Sequence, residues 1–224
     1  MNNDFQVLGL HFNCFTCKEA MLKVADYLEN DVINTIEIIS YDTLLKEQYN
    51  TDWIDCLNKK DLVIAGDEEI LKAAGVIDRT TIREVHHAKL VRTILQYLYK
   101  NNKTVFVLAS SEDALSYFRA SLPNYVRNLN IVGTDLLEEG SGKEAIAINN
   151  INGLDADCIL SILPSPIQEE FIHQHQSLLH SRLWFGCGEF FNRDLHEQSG
   201  MTRLLHYIKK KVFHYKVEKH KKHL

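Results

Sequence analysis

Two kinds of segment alternate along the 224-residue chain. Short, almost continuously apolar runs rich in β-branched residues are typical of strands that are covered on both faces. The longer stretches between them carry apolar residues at spacings of three and four, which predicts amphipathic helices. The predicted strands are 36–41, 61–65, 104–109, 130–133, 157–163 and 182–186. The predicted helices are 16–29, 43–58, 68–75, 83–101, 112–121, 138–151, 166–179 and about 199–215.

This order of elements predicts an α/β fold of the Rossmann-like kind, with a mainly parallel sheet of about six strands flanked by helices. The length suits one domain with a sizeable core. Only three prolines occur, and no stretch is rich in Pro, Gly or Ser, so we expect no flexible linker. We predict an α/β domain over residues 1–197 and a C-terminal appendage over residues 198–224.

Charge is distributed unevenly between these two parts. Residues 203–224 hold eight Lys or Arg and one acid, a net charge of +7, whereas the rest holds 17 bases and 29 acids, a net charge of −12. Apolar residues in the appendage recur at helical spacing, at Leu204, Leu205, Ile208, Val212, Phe213 and Tyr215. A basic amphipathic helix of this kind can bind an anionic membrane surface. The alternative is that the apolar stripe packs on the body of the protein.

Ligands of open parallel sheets bind beyond the carboxyl ends of the strands, so candidate site residues are sought there. We expect six residues at predicted strand ends to line the main pocket: Ser40, Asp42, Gly66, Asp67, Gln168 and Gly188. Glu169 and Gly186 lie next to them in sequence and complete the candidate substrate-binding set.

Each candidate residue has a functional and a structural interpretation. Asp67 can serve as a general base, or belong to an acidic first helical turn favoured by the helix dipole. Asp42 is a second candidate base, and a surface turn residue is its alternative role. Gln168 and Glu169 either bind an anion near a helix N-terminus or take part in capping with Ser165. Ser110 and Ser111 are better explained as a helix cap than as a phosphate site, because acids follow them at once.

Composition argues against several classes of protein. The first residues, MNNDFQVLGLHFN, do not have the pattern of a signal peptide, and no apolar run approaches the length of a membrane span. Five cysteines, an odd count, favour reduced thiols, and Cys14 and Cys17 lack a second pair at zinc-site spacing. An acidic body without an aromatic-basic motif argues against nucleic-acid binding. We expect a cytoplasmic protein that can attach to the inner face of the cell membrane.

Six segments in this order resemble the WecG/TagA/CpsF family of bacterial glycosyltransferases, over roughly residues 5–193. Each segment is a weak signal alone, but their shared order is specific. The segments are Leu8-Gly9-Leu10 with Thr16, Glu19 and Ala20; 57–64; 104–108; 122–134; Pro166-Ile167-Gln168-Glu169; and Gly186-Cys187-Gly188 with Phe191.

The resemblance implies transfer of N-acetylmannosamine or a related sugar from a UDP donor to a lipid-linked acceptor. It implies no metal and no cofactor. It also implies a C-terminal appendage that reaches the membrane where the acceptor resides. Whether copies of the chain form a homo-oligomer is left open.

The chain departs from the family pattern at positions that matter for catalysis. The catalytic aspartate of the family's Pro-Asp-Gly aligns with Gly66, and Asp67 follows one position later. The family's Thr-Pro-Asn turn aligns with 38–40, and its Arg-Val-x-Gly-x-Asp segment begins at Glu84. Two functions therefore remain: a UDP-sugar-dependent glycosyltransferase, or a catalytically impaired paralogue that acts as a binding or regulatory subunit.

Overall fold

The computed structural model describes residues 4–192 and 200–222, which form an α/β fold around one parallel sheet. Numbered in chain order, the strands are β1 Phe5–Val7, β2 Leu10–Phe12, β3 Asn34–Ile39, β4 Leu62–Ala65, β5 Thr104–Ala109, β6 Asn130–Leu136, β7 Cys158–Ile162 and β8 Leu183–Gly186. The sheet has six parallel strands in the order β4-β3-β8-β7-β5-β6. This confirms the predicted fold class.

The hairpin of β1 and β2 is an element that the sequence did not predict. Its two strands pair antiparallel, and the turn residues Leu8 and Gly9 both have positive φ, at 51° and 86°. Three-residue strands carry too little periodicity to be recognised, so the apolar pattern predicts no strand before residue 36.

Helices occupy the connections between strands, mostly where they were predicted. They are α1 Cys17–Tyr27, α2 Tyr41–Glu47, α3 Thr51–Leu57, α4 Glu68–Ala74, α5 Arg79–His86, α6 Lys89–Lys100, α7 Glu112–Ser121, α8 Glu144–Gly153, α9 Ile167–His175 and α10 Gly200–Lys221. Short 3-10 turns cover Leu122–Asn124, Gln176–Leu178 and Gly188–Asn192. None of the described helices has the length and hydropathy needed to cross a bilayer.

Two helices predicted as continuous are each divided in two. The side chain of Asn50 accepts a hydrogen bond from Trp53 N and starts a new helix inside the predicted segment 43–58. Ala88 adopts a left-handed conformation, with φ of 50°, and separates α5 from α6 inside the predicted segment 83–101. A cap and a left-handed residue both interrupt the helical ladder without changing the apolar pattern, which explains why the pattern missed the two breaks.

The two faces of the sheet are covered differently. Helices α1, α6 and α7 pack over one face as a continuous apolar cluster. The other face carries two clusters: β1, β2, α2, α3, α4 and α10 pack over β3 and β4, and α8 and α9 pack over β5, β7 and β8. The boundary between these two clusters is the part of the core where buried polar residues meet, as shown below.

Helix α10 packs against α2 and α4 through one face. Phe213 and Val217 on that face are buried in the apolar cluster that includes Tyr41 and Leu44. The opposite face exposes Leu204, Leu205, Ile208, Val212 and Tyr215, which are 40–66% accessible. The predicted apolar stripe is therefore split, since Phe213 docks on the body while these five face outward. The predicted domain boundary at 197/198 lies outside the described residues.

Candidate functional site

The turns that follow β3 and β4 hold the first group of predicted site residues. Ser40 caps α2, with Thr43 N donating to Ser40 Oγ at 3.0 Å. Asp67 caps α4, with Ile70 N donating to Asp67 Oδ1 at 3.4 Å. Tyr41 N donates to the other carboxylate oxygen, Asp67 Oδ2, at 2.8 Å. Asp67 therefore ties the two turns together, which confirms a structural role at the helix start; its role as a base stays a prediction.

Gly66 and Asp42 complete this group. Gly66 N donates to Ile39 O at 2.7 Å, which extends the pairing of β3 and β4 by one residue. Asp42 lies in the first turn of α2 and forms an ion pair with Lys209 of α10 at 3.3 Å. The structure thus brings Ser40, Asp42, Gly66 and Asp67 together at one end of two neighbouring strands.

Helix α10 supplies further polar contacts at the same edge. Glu69 pairs with Lys210 at 3.2 Å and with His214 Nε2 at 2.9 Å, and Tyr41 Oη lies 2.8 Å from His206 Nδ1. Burial alone would raise the pKa of Glu69, but the hydrogen bond from His214 and the charge of Lys210 hold it below its ordinary value. The ends of β3 and β4 therefore carry carboxylates, a hydroxyl and several basic groups within a small region.

The second group of predicted residues lies where β7 and β8 end, and it is buried. Gln168 and Glu169 are both fully inaccessible. Gln168 Oε1 accepts a hydrogen bond from Gly188 N at 3.0 Å, and Gln168 Nε2 donates to Glu37 at 2.6 Å. The predicted cap at Ser165 is wrong: α9 begins after Pro166, without a side-chain cap. A substrate-binding role for these residues stays a prediction.

Glu37 is a central residue of this group that sequence reasoning missed. It lies in the middle of β3 and is fully buried, and Trp184 Nε1 donates to its Oε1 at 2.8 Å. Burial and the nearby carboxylate of Glu169 raise the pKa of Glu37 to about 8, although Lys60 and the two hydrogen bonds oppose the shift. The available signal was an acid inside the apolar run 36–39.

Glu169 forms the second buried acid of this region. Ser165 Oγ donates to Glu169 Oε1 at 2.6 Å, and Cys56 Sγ donates to its backbone oxygen at 3.3 Å. Burial raises the pKa of Glu169 against the opposing hydrogen bond from Ser165. The two groups of site residues lie at the same edge of the sheet, and Lys46 Nζ donates to Ser165 O at 3.3 Å between them.

A small apolar cavity of about 40 Å³ lies under α5 and α6, beside the end of β4. Of the six residues expected to share the main pocket, Gly66 lines this cavity. Its walls also include Ile38, Glu84, Lys89 and Phe190. The volume is far below the roughly 300 Å³ at which ligand pockets begin, so the cavity in this conformation does not hold a sugar nucleotide.

Glu84 has a clear structural role in the wall of this cavity. Cys17 N, at the start of α1, donates to Glu84 Oε2 at 2.8 Å, and Lys89 Nζ contacts Glu84 Oε1 at 2.5 Å. Burial would raise the pKa of Glu84, but these two partners hold it below its ordinary value. The acid therefore stays charged where it accepts from the first amide of α1 and pairs with Lys89 at the start of α6.

The helix after β5 confirms the structural interpretation of the serine pair. Ala114 N donates to Ser111 Oγ at 3.2 Å, so Ser111 caps α7. No group of three or more His, Cys, Asp or Glu with the geometry of a metal site occurs within residues 4–192 and 200–222.

Comparison with known proteins gives one family. Residues 5–193 match the model of the Glycosyl transferase WecG/TagA/CpsF family, which is most of the chain. No curated protein matches the chain. The matched segment contains both groups of site residues and ends before α10.

Proposed function

The chain belongs to the WecG/TagA/CpsF family of glycosyltransferases, which act in cell-surface polysaccharide synthesis, and we propose that it transfers an N-acetylhexosamine-type sugar from a UDP donor to a lipid-linked acceptor. The product would enter bacterial cell-surface polysaccharide or teichoic acid. The observation that carries the proposal is that α10 places Lys209 and Lys210 beside the turns that hold Asp42 and Asp67. Transfer from a diphosphate donor needs both kinds of group, a base and cations.

The proposed reaction assigns a role to each kind of group. A carboxylate, Asp67 or Asp42, takes the proton of the acceptor hydroxyl as its oxygen attacks the anomeric carbon of the donor sugar. The bond from that carbon to the β-phosphate oxygen breaks, and UDP leaves with the bonding electrons. Lys209 and Lys210 would exchange their carboxylate partners for the diphosphate and stabilise its charge.

A membrane surface is the proposed place of the reaction, because a lipid-linked acceptor resides there. The outward face of α10 supports this part of the proposal, since it exposes Leu204, Ile208 and Val212 while the opposite face is docked. Lys211 and Lys216 flank that face at helical spacing. Each lysine near an anionic surface contributes about 1 kcal/mol, so attachment would be real and sensitive to salt.

A second function, that of a catalytically impaired paralogue, is favoured by a different observation. Ile38, Gly66 and Glu84 occupy the positions at which the family pattern has a threonine, its catalytic aspartate and an arginine. All three line the same small cavity. A protein in which these groups have been replaced together could bind a nucleotide or a partner enzyme without catalysing transfer.

The kinetic experiment that separates the two functions uses Asp67→Asn. Transfer from UDP-N-acetylhexosamines to a short-chain lipid-linked acceptor is followed by UDP release. For an active enzyme we expect kcat to fall by about 10²-fold, the scale of a lost general base. The matched control is Asp52→Asn, an exposed acid in the first turn of α3, which should retain activity.

The outcomes separate the proposals cleanly. Unchanged kcat in Asp67→Asn would remove Asp67 from the mechanism and leave Asp42 as the base. If no UDP-sugar supports transfer but UDP binds to the wild-type protein, the paralogue is the correct assignment.

A further inference from the structure

Glu37 is an acid in the centre of the sheet whose two oxygens both have defined donors. It is fully buried, on the face of the sheet where the two apolar clusters meet. Trp184 Nε1 donates to Oε1 at 2.8 Å and Gln168 Nε2 donates to Oε2 at 2.6 Å. A buried acid is costly unless its hydrogen bonds are satisfied, so these two donors are part of what holds it there.

The orientation of the Gln168 amide follows from its two partners. Gly188 N is a donor and lies 3.0 Å from Gln168 Oε1, so the amide oxygen must face Gly188. The amide nitrogen must then face Glu37, which has to accept. Gly188, Gln168 and Glu37 thus form a hydrogen-bonded chain with one direction, and reversing the amide would place two donors, Gly188 N and Gln168 Nε2, against each other.

The hydrogen-bonded chain is also closely packed, which restricts the residues that can lie beside it. A Cβ on Gly186 would collide with the Glu37 carboxylate and would lie 2.7 Å from Gln168 Nε2. Gly188 has a φ of 52° and begins the turn Gly188–Asn192, which contains Phe190. Phe190 lines the cavity beside Gly66, at the end of β4. The buried chain therefore fixes the start of a segment that reaches the other group of site residues.

We infer that Glu37 is a positioning residue: it orients Gln168, and Gln168 in turn fixes Gly188 and the turn that carries Phe190 to Gly66. The link to donor binding rests on the proposed function, whereas the hydrogen-bonded chain does not. A consequence is that the site at the ends of β3 and β4 depends on a group buried beneath it.

The test exchanges the two side chains. Glu37→Gln alone places an amide nitrogen, which is a donor, against Gln168 Nε2, and Gln168→Glu alone puts two carboxyl groups together. The double variant Glu37→Gln/Gln168→Glu restores each hydrogen bond. Its carboxylate at position 168 accepts from Gly188 N and from the amide nitrogen at position 37, and the amide oxygen at position 37 accepts from Trp184 Nε1. The control is Glu47→Gln, which alters another buried acid that takes no part in the hydrogen-bonded chain of Gly188, Gln168 and Glu37.

Two readouts are taken at a temperature at which all variants are folded. We expect each single variant to bind UDP at least about tenfold more weakly by calorimetry, and the double variant to lie within about threefold of wild type. We also expect amide exchange at Gly188 to accelerate about tenfold in the single variants and to recover in the double variant. Glu47→Gln should change neither.

Distinct results overturn the inference and the proposed function. Equal UDP affinity in all folded variants, or a double variant no better than the singles, would overturn a positioning role for Glu37. If wild-type protein shows no UDP binding, the proposed function fails instead. Amide exchange at Gly188 then tests the positioning role of Glu37. Unchanged exchange in both single variants would refute that role, and faster exchange in the single variants with recovery in the double variant would support it.

Discussion

The turns after β3 and β4 and the region where β7 and β8 end share one edge of the sheet but are built differently. The first region is held by helix caps and by ion pairs to α10 that lie near the surface. The second region is a buried hydrogen-bonded network around Gln168 and Glu37. Each region contains half of the residues that the sequence identified as a site.

The segments that resemble the family and the positions that depart from it lie in different regions. Pro-x-Gln-Glu and Gly-x-Gly, two of the segments that resemble the family, supply part of the buried network, which fixes the positions of α9 and of the turn after β8. Ile38, Gly66 and Glu84, the positions at which we expect the chain to depart from the family pattern, line the cavity next to the first region. The Pro-x-Gln-Glu and Gly-x-Gly motifs therefore help to hold the fold, and the effect of the departures on the chemistry stays a prediction.

The close packing around the buried network can be tested by adding a methyl group at Gly186, which we expect to reduce the stability of the fold strongly. Gly186→Ala would push a methyl group into Glu37 and Gln168, and we expect it to lower the free energy of unfolding by about 3 kcal/mol. Gly153→Ala is the control, since a Cβ there meets no atom within 4 Å and alanine favours the helix. Urea unfolding measures both variants. Equal stability of the two would show that Gly186 is not needed for space.

A smaller effect concerns pH, through the same network. Glu37 has a pKa raised to about 8 in the fold, from an ordinary value of 4.5. The folded protein therefore holds a proton that the unfolded chain has released, so stability falls as pH rises from about 5 to 8. The slope is at most about 1.4 kcal/mol per pH unit for one proton.

Thermal unfolding between pH 5 and 8.5 measures this slope. We expect Tm to fall with rising pH in the wild type and in Glu47→Gln, and to fall less steeply in Glu37→Gln. A slope that Glu37→Gln leaves unchanged would assign the proton to another group, with Glu169 the next candidate.

A further prediction concerns membrane binding by the outward face of α10, which takes no part in docking the helix on the body. Ile208→Glu should lower recovery on phosphatidylglycerol vesicles by about fivefold in a flotation assay, because an apolar contact is replaced by a repelled charge. Phosphatidylcholine vesicles should recover little of any variant. Leu178→Glu, at an exposed position elsewhere on the body, is the control. Equal recovery of Ile208→Glu and wild type would exclude this face as the membrane contact.

Most of the sheet could be predicted because buried parallel strands leave a clear apolar signature. The helix breaks at Asn50 and Ala88 could not, since a side-chain cap and a left-handed residue do not alter the apolar spacing around them. Glu37 was within reach of sequence reasoning, because an acid inside a continuous apolar strand requires buried partners.

The contacts of α10 with the body could not be predicted from the sequence. Its docked face is marked by Phe213 and Val217, but their partners belong to a cluster built mainly from the first third of the chain. The ion pairs of Lys209 with Asp42 and of Lys210 with Glu69 join residues more than 140 positions apart. Local periodicity carries no information about which distant acid a lysine meets.

The proposed nucleoside diphosphate site lies where α10 meets the ends of β3 and β4, and calorimetric titration of UDP and UDP-N-acetylhexosamine measures binding there. We expect saturable binding at one site in the wild type and about tenfold weaker binding in Lys209→Ala, because one charge-assisted contact is lost. Lys216→Ala, which removes a lysine lying over the Tyr49 ring, should bind as the wild type does. Absence of binding heat in the wild type, or equal affinity in Lys209→Ala, would rule out this site.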